Sequence, residues 1–223
     1  IMYSFSNFKE KDKVTIMEFI EHNPFAFITG SFPSGKQVAT QIPIILDVRN
    51  EELFLQGHIM RKTDHHKALV ENPESLVVFT GPNCYVSASW YSKPEVGSTW
   101  NYMSVHIEGR VKFMTDNELI NFMRKLTLQF EEGNTQSTSF FDNLPEDYLK
   151  KMLPSIAGIE IKADNIENVF KLSQDRDSAS FANIISKLEE EGDQSALIAS
   201  EMKKRQSKIF PKDLKLKELK FSF

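Results

Sequence analysis

Short stretches in which apolar and polar residues alternate dominate the first half of the chain, and this period of two is typical of β-strands. Residues 37–46 give the clearest case, with apolar or β-branched side chains at Val38, Thr40, Ile42, Ile44 and Leu46. The pattern predicts further strands over residues 25–29, 53–56, 76–80, 85–89, 101–113, 156–162 and 167–172. Most of them are joined by turns too short for a parallel crossover, so we predict an antiparallel sheet. Six to eight such strands suggest a small closed barrel.

Helical spacing of apolar residues appears between and after these strands. It predicts helices over residues 12–22, 62–70, 116–131 and 145–152, and a pair over 180–190 and 194–206 that breaks at Gly192. Turns are predicted at Asn50-Glu51 and at Gly81-Pro82-Asn83. The fold class is therefore mainly β with helices (α+β). We predict a barrel domain over residues 1–176 and a helical extension over 177–223, whose end is a basic tail with Lys212, Lys215, Lys217 and Lys220.

Composition narrows the possible partners. The 223 residues carry a formal net charge of −4 and a pI near 5.8, without the basic footprint that usually accompanies DNA binding, so direct DNA contact is doubtful and only a local basic patch is left open. No apolar run approaches the length of a membrane span, and residues 2–13 lack the apolar core of a signal peptide. With Cys84 as the single cysteine, no internal disulfide can form. These features together predict a soluble cytoplasmic protein.

Common catalytic and metal-binding motifs are missing from the sequence. It has no glycine-rich phosphate loop, no GxSxG nucleophile motif and no Cys/His spacing for zinc. The adjacent His65 and His66 project in different directions and cannot chelate one metal as an i, i+4 pair does. Neither a metal site nor a catalytic acid, base or nucleophile is predicted, and enzymatic activity is left open.

Six segments that follow one another along the chain carry a family resemblance. They are NPFAFITG (23–30), VATQIPIILD (38–47), LFLQGHIMRKTDHH (53–66), VVFTGPNCYVSASWY (77–91), STWNYMSVHIEGRV (98–111) and KLSQDR (171–176). Together they resemble the PaiB-like family of FMN-binding negative transcriptional regulators. The resemblance implies an FMN-binding antiparallel split β-barrel, similar in fold to pyridoxamine-phosphate-oxidase-like proteins. It also implies a homodimer with FMN at the two-fold interface.

Arg61, Lys62 and Thr63 stand where a predicted strand meets a predicted helix. They supply a bidentate guanidinium, a point charge and a hydroxyl, and a phosphate dianion is bound by such groups, often at a helix N-terminus. Taken alone, the three residues fit a solvated corner at least as well. The resemblance implies that they bind the FMN phosphate. The negative charge of Asp64 is unfavourable there unless its side chain turns away to cap the helix.

Two further groups of cofactor residues follow from the resemblance. His58 is a candidate for the ribityl chain or the phosphate, and Thr40 and Gln41 are candidates for the polar edge of the flavin ring. The alternative for His58 is a hydrogen-bonded histidine at the barrel rim.

The second group consists of Trp100, Gln174 and Arg176. Trp100 is a candidate to stack beside the ring, although a tryptophan between a loop and a strand is more often an interface anchor. Gln174 and Arg176 are expected to reach the flavin of the other subunit. Arg176 fits equally a structural ion pair at the interface.

The chain departs from the family pattern at several of these positions. Gln41 replaces a histidine and Asp175 an asparagine, while Met60, Lys62, Thr63 and Asp64 alter the motif that follows His58. Three functions stay open at this stage. They are an FMN-binding regulator of the PaiB type, an FMN-dependent oxidoreductase that acts on a small molecule, and a barrel that serves as a scaffold without cofactor.

Overall fold

A seven-stranded sheet dominates the computed structural model, which describes residues 5–93 and 96–211. The strand order is β2-β1-β5-β6-β7-β4-β3, and the pairings β1–β2, β1–β5, β3–β4 and β4–β7 are antiparallel. This confirms the predicted fold class, an antiparallel split β-barrel with helices. The strands are β1 (Phe25–Ser31), β2 (Gln37–Pro43), β3 (Ile45–Arg49), β4 (Glu52–Met60), β5 (Glu74–Val86), β6 (Thr99–Phe113) and β7 (Ile156–Lys171).

Three strand boundaries differ from the prediction. The stretch 37–46 is divided at Pro43 into β2 and β3, since proline has no backbone N–H to donate to a ladder. The turn predicted at Gly81-Pro82-Asn83 is wrong, and β5 runs straight through it. Residues 163–166 are likewise part of one long β7. The turn at Asn50-Glu51 is confirmed: both residues have positive φ, as a two-residue type I′ hairpin requires, and Arg49 pairs with Glu52 across it.

Six α-helices occur in the described residues, close to the predicted positions. The N-terminus of α3 carries a complete capping box. The Glu118 N–H donates to the Thr115 hydroxyl, and the Thr115 N–H donates to the Glu118 carboxylate. The helices are α1 (Lys13–His22), α2 (Asp64–Glu71), α3 (Asp116–Phe130), α4 (Glu146–Met152), α5 (Ser178–Glu191) and α6 (Asp193–Ile209). The predicted basic tail from Lys212 lies outside the described residues.

The chain divides into two compact units. The first includes residues 5–16, 80–105 and 168–211, and the second comprises residues 17–79 and 106–167. In the second unit, α3 packs its apolar face on the sheet, with Leu119, Phe122 and Leu126 in one buried cluster with Ile45 and Ile156. In the first unit α5 is packed through Phe181, Ile184 and Leu188, which are all fully buried. The domain division predicted at residue 176 stays a prediction.

Candidate functional site

Arg61 lies just after β4 and is held by the backbone that leads into β7. Its N–H donates to the Ser155 carbonyl oxygen at 2.8 Å, and its side-chain Nε donates to the Ile156 carbonyl oxygen at 2.7 Å. These bonds fix the guanidinium plane. No carboxylate within the described residues forms an ion pair with Arg61, so its terminal nitrogens remain available to a ligand.

The N-terminus of α2 follows directly, and Thr63 caps it. The Thr63 hydroxyl accepts a hydrogen bond from the His66 N–H at 3.2 Å and donates one to the Met60 carbonyl oxygen at 3.0 Å. The hydroxyl predicted to bind phosphate is therefore already used within the chain. Lys62 has a left-handed backbone, with φ of +66°, and an exposed side chain. Strained backbone of this kind is often found at binding sites.

Charges around this corner favour an anion. Burial lowers the pKa of His66 in the first turn of α2, and the positive charge of Arg61 lowers it further, which places Arg61 within electrostatic reach of the helix N-terminus. Asp64 does not take the capping position considered for it, which Thr63 occupies. Instead Asp64 forms an exposed ion pair with Lys36 at 3.6 Å, and the charge of Lys36 offsets that of the one carboxylate in this turn.

Thr40 and Gln41 lie on the edge strand β2 and point to opposite faces of the sheet, as successive strand residues do. Thr40 pairs with the fully buried Ile28 and is half-buried. Gln41 is exposed and pairs with Phe27, which is 40% exposed beside a 57% exposed Phe25. Only Gln41 therefore belongs to this exposed aromatic face. The alternation of Phe25 and Phe27 with buried Ala26 and Ile28 is a signal that the sequence reasoning missed.

His58 lies beneath α3. Its ring centroid is 6.1 Å from that of Phe122, its Nδ1 is buried without a partner in the described residues, and burial lowers its pKa. This packing favours a buried histidine of the barrel over a ligand of the cofactor. The contact with FMN stays a prediction.

Arg176, in the first unit, packs against an aromatic residue, Tyr91, that the sequence analysis did not single out. Its guanidinium carbon lies 4.6 Å from the centre of the Tyr91 ring, and its Nη2 is 3.5 Å from Asp175. Burial lowers the pKa of the nearby Lys171; Asp175 opposes this effect and Arg176 adds to it. The KLSQDR segment thus brings two cations together. In the sequence, the one indication of this arrangement was that Lys171 and Arg176 stand five residues apart in the same segment.

Gln174 and Trp100, the other two predicted cofactor residues of the first unit, differ in whether their side chains are available to a ligand. The Gln174 amide is used by its own turn, where it donates to the Phe170 carbonyl oxygen and accepts from the Leu172 N–H. Trp100 is 54% exposed and makes an edge-on contact with Tyr85, with ring centroids 6.3 Å apart. Trp100 is free to stack against another molecule, whereas Gln174 would first have to break two bonds.

Within residues 5–93 and 96–211, no three histidine, cysteine, aspartate or glutamate side chains come together in a way that could hold a metal ion. None of the helices in the same residues is long and apolar enough to cross a membrane.

Comparisons with known proteins identify the family and the fold. Residues 2–165 match the family described as "Putative FMN-binding domain". The Bacillus subtilis protein named "Protease synthase and sporulation protein PAI 2" is 30% identical over 203 residues, which cover 90% of this chain and 96% of that protein.

Two solved structures share the fold at low sequence identity. The FAD and heme binding protein from Mycobacterium smegmatis has a TM-score of 0.56 and 19% identity, over 73% of each chain. The flavocytochrome Anf3 from Azotobacter vinelandii has a TM-score of 0.53 and 17% identity, over 73% of this chain and 69% of its own.

Proposed function

Since this chain belongs to the FMN-binding domain family, with FMN as its expected cofactor, we propose that Arg61 and the N-terminus of α2 hold the FMN phosphate. The observation that carries the proposal is the free guanidinium beside a helix start. Arg61 is fixed through Nε, which leaves its two terminal nitrogens for a bidentate contact with phosphate. The first N–H groups of α2 and the helix dipole add to the attraction.

The flavin ring is proposed to lie against the exposed aromatic face of the second unit. Gln41 offers both a donor and an acceptor to the polar edge of the ring, beside the apolar surfaces of Phe25 and Phe27. When bound, FMN supplies hydride and electron transfer, and the role of these side chains is to bind and orient it.

We infer that the protein is a homodimer in which the first unit also contributes to cofactor binding. The exposed Phe25 and Phe27 in one unit, and Tyr85 and Trp100 in the other, are the kind of apolar surface that an interface covers. Arg176, steadied by Tyr91, is the candidate to reach the flavin held by the partner subunit.

A regulatory role of the PaiB type is proposed from the family relation alone. The net charge of −4 argues against a mode in which the protein neutralises many phosphates of DNA. A gel-shift series over increasing salt tests this: a DNA backbone contact would weaken steeply with salt, and we expect no specific shift at physiological ionic strength.

The cofactor site is tested by titrating FMN and following flavin absorbance and fluorescence. The double variant Arg61→Ala/Lys62→Ala should bind FMN at least about a hundredfold more weakly, because each charge-assisted bond contributes about 1.5–3 kcal/mol. The matched control is Arg110→Ala/Lys162→Ala, which removes two exposed cations paired with Glu74 and Glu52. Equal FMN affinity in both double variants would refute the phosphate assignment.

A further inference from the structure

A polar pocket of about 180 Å³ lies in the second unit, between the sheet and α3. Strands β3, β4 and β7 contribute Asp47, Gln56 and Glu160, and α3 contributes Phe122 and Lys125. One water molecule takes up about 30 Å³ in the liquid, so the pocket has room for about six waters or for a small organic molecule.

Gln56 is the feature that points to a ligand. It is only 8% exposed, and its Nε2 donates to Glu160 Oε2 at 2.9 Å. Its Oε1 is buried and accepts no hydrogen bond from any described residue. Since buried polar atoms in proteins nearly always have a partner, the molecule that fills this pocket has to donate a hydrogen bond to Gln56.

The carboxylates lie deep in the pocket. The side chains of Glu160 and Asp47 are only 16% and 23% exposed. Arg49 bonds with both of them, and Lys125 Nζ lies 3.4 Å from Asp47 Oδ2, so these two carboxylates and two cations carry no net charge. The largely buried Glu160 carboxylate beside the acceptor on Gln56 favours a hydrogen-bond donor such as an ammonium group.

The lysines lie at the mouth of the pocket. The side chains of Lys112 and Lys125 are 67% and 55% exposed, and Glu118, which pairs with Lys112, is 47% exposed. Over the whole lining, the cations Arg49, Lys112 and Lys125 equal the carboxylates Asp47, Glu118 and Glu160 in number. A pocket that presents both signs of charge without a net charge matches a small molecule that carries both an ammonium group and a carboxylate.

Apolar side chains complete the lining. Phe122 is buried in the core cluster of α3, and Met114 packs against the same cluster. Their surface is suited to a short aliphatic side chain, and a methionine adapts its shape to the group it meets.

From this arrangement we propose that the pocket binds a small aliphatic α-amino acid. The ammonium group donates to Gln56 Oε1 and Glu160, the carboxylate accepts from Lys112 and Lys125, and the aliphatic group packs on Phe122. The proposal does not depend on FMN, because every residue in it is distinct from those assigned to the cofactor.

Isothermal titration calorimetry with glycine, L-alanine, L-valine and L-methionine on the full-length protein tests the proposal. At least one should bind saturably in the millimolar range or more tightly. The partial analogues of L-valine are isobutylamine, which lacks the carboxylate, and isovalerate, which lacks the ammonium group. Each should bind about tenfold more weakly, because one charge-assisted contact is lost.

Two variants and one control complete the test. Gln56→Leu and Lys125→Met should each weaken amino-acid binding about tenfold, and Lys125→Met covers the case in which the buried Gln56→Leu does not fold. Lys162→Met is the matched control, since Lys162 lies on β7 outside the pocket and pairs with Glu52. Saturation by none of the four amino acids, or binding that Lys125→Met leaves unchanged, would overturn the proposal.

Discussion

His65 on α2 is a buried titratable residue, and it makes a clear prediction about pH. It is 3% exposed and its ring packs against Gly30 of β1, so burial lowers its pKa despite the opposing influence of the Thr29 backbone and of the charge of Asp64. The unfolded chain then takes up a proton near pH 6.5, before the folded chain does. The free energy of unfolding should therefore fall as pH decreases from about 7.5 to 5.5.

Urea unfolding at several pH values measures this slope, which is at most about 1.4 kcal/mol per pH unit for one proton. His65→Gln should flatten the slope relative to the wild type. A slope in His65→Gln as steep as that of the wild type would contradict the assignment and direct attention to His58 and His66, whose pKa values burial also lowers.

At single positions the sequence showed which residue types can cap a helix, but not which of them does so. Threonine and aspartate are both good helix N-caps, and Thr63 and Asp64 are adjacent. Thr63 is the cap in the structure, where its hydroxyl accepts from the His66 N–H and donates to the Met60 carbonyl oxygen, which a carboxylate cannot do. Composition alone cannot rank these alternatives, since the choice depends on which carbonyl oxygen lies within reach.

The pairing of β6 with β7 depends on the absence of a side chain at Gly109. A Cβ atom there would lie 2.1 Å from the Lys162 carbonyl oxygen and 2.7 Å from Ile161 Cγ2. Backbone cannot easily move aside, so Gly109→Ala should lower the free energy of unfolding by about 1–3 kcal/mol or more. Urea titration with m-values measures the effect.

Gly97→Ala is the matched control for this change. No atom lies within 4 Å of a Cβ at Gly97, so the substitution should alter the free energy of unfolding by less than about 0.5 kcal/mol. Equal stability of the Gly109 and Gly97 variants would show that β6 and β7 are not in the close contact described above.

Strands and turns were predicted correctly where the alternation of apolar residues and the turn-forming residues between the strands pointed to the same structure. Asn50-Glu51 closes a hairpin between alternating strands, and its two positive φ values match that reading. Gly81-Pro82-Asn83 also consists of turn-forming residues, yet neither Gly81 nor Asn83 has a positive φ, and β5 continues. Turn-forming residues permit a turn without requiring one. Whether the chain reverses there depends on the neighbouring strands.

The whole molecule is proposed to be a homodimer, and Phe27 is the most direct probe of its interface. Phe27→Glu places a charge in the exposed aromatic face and should shift the protein from dimer to monomer in sedimentation velocity. Phe130→Glu, on a 51% exposed phenylalanine of α3, should leave the dimer intact. A monomeric wild type, or a Phe27→Glu variant that sediments like the wild type, would contradict the proposed interface.

Assembly was the least predictable level. Eighteen phenylalanines indicated a large core or an interface without separating the two. The structure separates them by exposure: Phe79, Phe122 and Phe170 are fully buried, whereas Phe25 and Phe27 are not. The sequence also did not indicate that residues 5–16 and 168–211 belong to one compact unit, because contacts between distant segments leave no periodic signal.

The central claim is that Arg61 binds the phosphate of FMN. It is tested most directly by comparing the affinity of the protein for FMN with its affinity for riboflavin, which lacks the phosphate. Fluorescence titration of the wild type and Arg61→Ala with both flavins gives four dissociation constants. We expect Arg61→Ala to weaken FMN binding by about ten- to a hundredfold and to leave riboflavin binding unchanged. Equal losses for both flavins, or FMN affinity that does not respond to the substitution, would contradict the account.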